Sequence, residues 1–99
     1  MIYDLTEKLK FDEDPKLVIK DVELTVNSDA EAVLKLLDIM QTRGELAGAM
    51  DAEKLIFSEK DRKKLAGLRL KIDDYLEVLK AAVQLALGND PGEEPPAGE

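Results

Sequence analysis

Carboxylates, lysines and two serines are the main side chains of this sequence that could do chemistry, because histidine and cysteine are both absent. A Ser-His-Asp triad, a Cys-His pair and the common zinc sites each need one of the missing types. Ser28 is followed three residues later by Glu31, which is the spacing of a capping box at the start of a helix. Ser58 opens a second helical pattern, and Asp61 three residues later makes this a near relative of the same capping box. We therefore interpret both serines as helix caps rather than nucleophiles.

Three groups of acidic side chains remain as candidate sites, and each has a structural interpretation. Residues 12–14 begin like a calcium loop, but Lys16 and Leu17 stand where that loop requires a ligand and a glycine. Asp73 and Asp74 fall in the first turn of a predicted helix, where negative charge is favourable. The acids near the C-terminus favour solubility. The sequence therefore predicts no catalytic residue, no metal site and no cofactor, in a protein that is not an enzyme.

One basic cluster lies within residues 60–71 of this acidic chain. Glu59 and Asp61 interrupt it, and no aromatic residue stands among the cations for base stacking. The formal net charge of -8 also opposes binding to nucleic acid or anionic lipid. We interpret the cluster as a solvated face or as a dock for an acidic segment, such as the chain's own C-terminal residues. The cations are Lys60, Arg62, Lys63, Lys64, Arg69 and Lys71.

Composition predicts one globular domain over residues 1–88, because 44% of the 99 residues are apolar. Residues 89–99, NDPGEEPPAGE, hold three of the four prolines and no large apolar side chain, which predicts a disordered acidic tail. The first residues lack the pattern of a signal peptide, and no apolar run approaches the ~20 residues that span a bilayer. We expect a soluble cytoplasmic protein that is not secreted and has no membrane partner.

The periodicity predicts an α+β fold, in which an N-terminal β-hairpin packs on a bundle of three to four α-helices. Alternation of apolar and polar residues is clearest in the hairpin, whose turn falls at Lys20-Asp21 with its type left open. The predicted order begins with a short helical turn or loose arm over 2–10, the hairpin over 16–26 and a helix from Ser28 that stops before Gly44. A weaker helix over 45–57 follows, then a helical segment over 58–71 that Gly67 makes short or bent, and a last helix over 72–87 that Gly88 ends.

The first and last of these helices have an unusually broad apolar surface. A surface helix normally carries an apolar stripe on a polar cylinder, and these two invert that pattern. Their narrow polar seams are Glu31, Lys35, Asp38 and Thr42 in the first helix and Asp73, Glu77, Lys80 and Gln84 in the last. We expect the two helices to pack on each other over the hairpin and to leave apolar surface for a partner or a second copy.

The order of these parts resembles the small tail assembly proteins, or tail assembly chaperones, of long-tailed phages and prophages of Gram-positive bacteria. The resemblance spans nearly the whole chain, from PKLVIKDVELTVN through SDAEAVLKLL to the acidic C-terminal residues. Its most specific piece is FSEKDRKKL over residues 57–65, followed by Asp74-Tyr75. Members of that family are not enzymes, and a frameshifted longer product often accompanies the short one.

The resemblance implies a chaperone that escorts the helical tape-measure protein, or another tail protein, during tail morphogenesis. An amphipathic client helix would occupy an apolar groove or face that the chain does not cover itself. Met40 and Met50 would suit such an adaptable surface. The candidate partner-binding residues are Leu36, Ile39, Met40, Val78 and Leu85. Two interpretations stay open, since each of these residues could simply be core, and a small regulatory protein that contacts nucleic acid through residues 60–71 is the alternative function.

Overall fold

Two antiparallel strands and four helices follow an exposed N-terminal arm, which confirms the predicted α+β class. The computed structural model describes residues 1–9 and 13–90, so the predicted tail lies outside the described residues from residue 91 onward. The N-terminal arm, residues 1–9, holds the 3-10 turn Thr6–Lys8 and buries none of its side chains. The remaining elements are β1 (Lys16–Ile19), β2 (Val22–Thr25), α1 (Ala30–Ala47), α2 (Ala49–Ile56), α3 (Glu59–Gly67) and α4 (Ile72–Ala86).

The hairpin forms in the register that its alternating pattern predicts. Leu17 pairs with Leu24 and Ile19 with Val22, which places these four apolar side chains on the face toward the helices. The two residues between the strands make the turn, as predicted. Because no glycine is present, Lys20 takes the positive φ, of 57°, that the reversal requires.

The N-terminus of α1 differs from the predicted capping box. Asp29, not Ser28, is the N-cap residue, and its side chain makes no capping hydrogen bond. The Ser28 hydroxyl donates instead to Asp14 Oδ1 at 2.8 Å, and the Asp29 N–H donates to Asn27 Oδ1 at 3.0 Å. The prediction for Ser28 was wrong because the hairpin brings a carboxylate from fourteen residues upstream, and this acceptor competes for the hydroxyl.

The junction between α1 and α2 depends on two glycines. The predicted stop near Gly44 corresponds to a non-helical residue inside α1, with φ 81° and ψ 175°, after which one more turn forms. The predicted helix over 45–57 places Gly48 inside a helix. In the structure Gly48 is instead a buried residue at the junction between α1 and α2. A Cβ at Gly48 would lie 2.6 Å from Ile39 Cγ2 and 2.8 Å from the Gly44 carbonyl oxygen. The close approach of α1 and α2 therefore requires glycine at this position.

The predicted start of α3 and the predicted end of α4 are confirmed. Ser58 caps α3, since its hydroxyl oxygen accepts a hydrogen bond from the Asp61 N–H at 3.2 Å. Gly88 terminates α4 with φ 88°. The Gly88 N–H donates to the Leu85 carbonyl, and the Asn89 N–H donates to the Gln84 carbonyl at 2.8 Å, which is the Schellman pattern.

Helix α2 lies between α1 and α4, so the prediction that the two broad apolar helices pack directly on each other was wrong. Ala49 and Ala52 are 6% and 7% exposed, and these small side chains let α2 approach both neighbours. The hairpin packs on α3 through β2 and on α4 through β1. One apolar core joins these layers, comprising Leu24, Val26, Leu36, Ala49, Ala52, Ile56, Phe57, Leu65, Leu79, Ala82, Val83 and Ala86.

Candidate protein-interaction surface

Exposed apolar side chains are concentrated on one side of α1. Leu34 is 67% exposed, Leu37 39% and Met40 40%. The spacing of three residues places successive members of this set next to one another on the helix surface. We call these three residues the α1 ridge. A row of apolar residues at this spacing is the type of surface that contacts another helix.

The ridge is left open because α1 has more apolar surface than its neighbours can cover. Leu36 points into the core at 1% exposure, and Val33 is partly buried against it. In the polar seam of α1, Glu31 and Lys35 form an exposed ion pair with 3.3 Å between the carboxylate oxygen and the ammonium nitrogen. Helix α2 packs along one flank of α1, and the ridge begins at the edge of that flank and keeps apolar surface exposed in the described part of the chain.

An open groove with a volume of about 510 Å³ runs between α1 and α2 on the side of α1 that faces α2. We call it the α1–α2 groove; it is lined by Leu34, Lys35, Asp38, Ile39, Asp51, Lys54 and Leu55. Arg43 and Asp51 form an ion pair close to it. Within the described residues, the Asp38 carboxylate and the Lys54 ammonium make no ion pair, so the groove presents one charge of each sign on its two helices.

The five candidate residues from the sequence fall into different environments. Met40 is in the α1 ridge, and Ile39 lines the α1–α2 groove. Leu36 is core and cannot meet a partner in this conformation. Val78 and Leu85 are partly buried and pack against the core from α4. Of the two helices with a broad apolar surface, α1 is therefore the one that leaves apolar side chains exposed along its length. Most of the apolar surface of α4 is packed against the core.

Leu34 and Leu37 are the surface residues that the candidate set omitted. Both belong to the broad apolar side of α1 that the helical pattern indicates. The pattern could not tell which part of that side faces the core, because the direction of packing is set by α2 and not by α1 itself. The periodicity of apolar residues identifies the core-facing side of a helix only when those residues occupy a narrow part of the helix circumference.

The positive charge of the basic segment over 60–71 is partly neutralised by nearby carboxylates. Lys63 approaches Glu59 at 4.0 Å and Lys64 approaches Asp61 at 3.5 Å. Arg62 donates through Nε to Glu53 Oε2 at 3.0 Å, and this pair is more buried than the other two. The segment is thus a partly neutralised face, in keeping with its interpretation as solvated surface.

Glu53 also joins α2 to α4. The Tyr75 hydroxyl donates to Glu53 Oε1 at 2.9 Å, so the two carboxylate oxygens bind one residue from α4 and one from α3. Burial of the hydroxyl, together with its hydrogen bond to Glu53, raises the pKa of Tyr75 to about 12. The cluster holds three helices together, and no fully buried side-chain nitrogen or oxygen of the described residues lacks a hydrogen-bond partner.

The acidic groups of the described residues behave as structural side chains. Asp73 and Asp74 lie in the first turn of α4, as predicted. Asp14 accepts hydrogen bonds from Ser28, whereas Asp12, the first acid of the calcium-like motif, lies outside the described residues. No group of three or more acidic side chains in residues 1–9 and 13–90 is arranged to hold a metal ion.

No helix in the described ranges is both long enough and apolar enough to cross a bilayer. Comparison with known proteins found no matching family model, no similar curated protein and no similar solved structure.

Proposed function

We propose that this chain is a non-enzymatic assembly chaperone that binds a helical client through the α1 ridge. The observation that carries the proposal is the exposure of Leu34, Leu37 and Met40 in one row on a well-formed helix. Isolated exposed apolar residues are common on protein surfaces, but a row at helical spacing matches the anchors of helix-on-helix recognition. A methionine in the row adapts to irregular client side chains.

The client class comes from the resemblance to phage tail assembly proteins. In that setting the client is the tape-measure protein, whose long helices expose apolar faces before the tail tube surrounds them. Binding to the ridge would cover such a face until assembly proceeds. The chain's net charge of -8 would keep the loaded chaperone from associating nonspecifically.

The test is binding of a helical tape-measure fragment encoded by the same phage or prophage locus, measured by isothermal titration calorimetry. We expect the double variant Leu37→Ser and Met40→Ser to lose at least about tenfold in affinity. The matched control is Ile72→Ser with Leu87→Ser, because the first residue of α4 and its C-cap residue are 57% and 41% exposed but lie outside the ridge. Equal affinity of the two double variants would overturn the assignment of the ridge.

Contact with nucleic acid through residues 60–71 is the alternative function, and it predicts salt-dependent binding to duplex DNA. Three of its six cations are ion-paired within the chain, which reduces the positive charge that a phosphate backbone would meet. Anisotropy of a labelled duplex at low salt separates the two functions. Tight binding that Lys60→Glu with Lys63→Glu abolishes would support the alternative and argue against the chaperone.

A further inference from the structure

The N-terminal arm carries apolar side chains that the described residues of its own chain leave exposed. Ile2 is 96% exposed, Leu5 47% and Leu9 53%, and none of the nine residues is buried. The spacings of three and four residues would place these three side chains on one face of a helix. A helical turn has already formed at Thr6–Lys8, where Asp4 Oδ1 accepts from the Thr6 N–H at 2.9 Å. The arm is therefore a short amphipathic segment without a partner surface.

The described chain resumes at residue 13, three residues after the arm, and enters the hairpin beside the N-terminus of α1. Asp14 accepts hydrogen bonds from Ser28, and the Val26 N–H donates to the Pro15 carbonyl at 2.8 Å, which fixes the start of the hairpin next to the start of α1. With a rise of 1.5 Å per residue, Leu34 and Ile39 lie about 6 Å and about 14 Å along α1 from its first residue. The α1–α2 groove is thus close to the point where the described chain resumes after the arm. None of the residues that line the groove belongs to the arm.

The groove and the arm are chemically matched. The groove has an apolar floor that includes Leu34, Ile39 and Leu55, and the arm offers Ile2, Leu5 and Leu9. The groove also presents Asp38 and Lys54, which have no ion-pair partner in the described part of the chain. On a helical arm, Asp4 and Lys8 would stand four residues apart along one border of the apolar face, as charges of both signs.

We propose that the N-terminal arm of one copy docks as a short helix in the α1–α2 groove of a second copy. Exchange in both directions gives a closed two-fold dimer, in which each groove is completed by residues of the partner. The donor is a second copy because the arm stands clear of its own groove although it is attached beside it. The groove shares Leu34 with the α1 ridge, but the exchange of arms needs no helical client, so this inference does not depend on the proposed function.

Sedimentation equilibrium of the full chain and of a chain that lacks residues 1–9 tests the exchange. We expect the average mass of the full chain to rise with concentration toward twice the chain mass of 11.0 kDa, and the truncated chain to stay at one chain mass. The arm buries no side chain, so its removal leaves folding intact. Leu5→Asp should also abolish the dimer, whereas Tyr3→Asp, on the opposite side of a helical arm, should not.

A labelled peptide of residues 1–9 should bind the truncated chain saturably, as measured by fluorescence anisotropy. Lys54→Glu should weaken that binding about fivefold, and Lys63→Glu on α3 serves as the control of equal charge change. Identical sedimentation of the full and truncated chains, or a peptide that fails to bind, would overturn the proposal. A monomeric full chain with an arm protected from hydrogen exchange would also overturn it, because the arm would then fill its own groove.

Discussion

Asp61 connects helix α3 to the edge of the hairpin through a single carboxylate. Its Oδ2 accepts from the Thr25 N–H at 2.9 Å, and its backbone N–H donates to the hydroxyl of Ser58. Asp61 is 8% exposed, so its carboxylate is largely shielded from water and depends on this hydrogen bond and its other protein partners. The side chain that the sequence placed in a capping motif therefore fixes tertiary structure as well.

Removal of this carboxylate should destabilise the protein measurably. We expect Asp61→Ala to lower the free energy of unfolding by about 1.5–3 kcal/mol, because a charged hydrogen bond is lost and the Thr25 N–H is left unpaired. Glu59→Ala, in the same helical turn, removes an exposed carboxylate whose ion pair with Lys63 is long, and should cost less than about 0.5 kcal/mol. Urea denaturation compares the two variants, and similar losses would contradict the role of Asp61.

Tyr75 should make stability depend on pH in the alkaline range. The folded pKa of about 12 is above the ordinary value of 10.0, so the unfolded chain loses the phenolic proton first as pH rises. The stabilisation from Tyr75 is thus complete below pH 10 and is lost as pH rises toward 12. Tyr75→Phe should flatten this part of the profile relative to the parent chain, whereas Tyr3→Phe, at a 66% exposed residue, should not. Denaturant unfolding between pH 9 and pH 12 measures the difference, and parallel profiles would contradict it.

At the scale of elements, substitutions at Gly48 and Gly67 test how closely α1 and α2 approach. Gly48 lies at their junction, and Gly67 in α3 is the comparison. Ala has the higher helix propensity, so a glycine within a helix with free space should be improved by Ala. Gly67 in α3 has nothing within 4 Å of a Cβ, whereas Gly48 would place its Cβ 2.8 Å from the backbone oxygen of Gly44. The same substitution should therefore have opposite effects at the two positions.

We expect Gly67→Ala to raise the free energy of unfolding by about 0.5–1 kcal/mol. Gly48→Ala should lower it by about 1–3 kcal/mol, because Ile39 and the Gly44 carbonyl would have to move. Thermal unfolding followed by circular dichroism reports both signs in one experiment. Stabilisation by both substitutions would show that α1 and α2 can separate at no cost.

Elements with a local determinant could be predicted from the sequence, and contacts between distant elements could not. The hairpin register follows from alternation between residues 16 and 26, and the end of α4 follows from Gly88. The N-terminus of α1 was mispredicted because Asp14, far upstream, binds Ser28. The neighbour of α1 was mispredicted because small residues on α2 allow a closer approach than α4 does. In the candidate surface, periodicity indicated excess apolar area on α1 but not its direction.

For the molecule as a whole, most exposed large apolar residues of the described chain belong to two segments. One group lies on the N-terminal arm and another on the helical unit formed by α1 and α2, while Val18, Ile72 and Leu87 are single exposures. Clusters of this type mark interaction surfaces more often than single residues do. The clustered group on α1 and α2 comprises Leu34, Leu37, Met40, Leu46 and Met50.

If α1 has a core side and a binding side, substitution of neighbouring leucines of this helix by alanine should lower the free energy of unfolding by very different amounts. Leu36 is 1% exposed and Leu37 is 39% exposed. Leu36→Ala should lower the free energy of unfolding by about 2–5 kcal/mol through loss of burial and creation of a cavity. Leu37→Ala should cost less than about 1 kcal/mol, because the space left by this partly exposed side chain opens to solvent and forms no enclosed cavity. Chemical denaturation of both variants measures this contrast, and equal losses would mean that Leu37 is covered in solution by the chain itself and that α1 has no free side for a client.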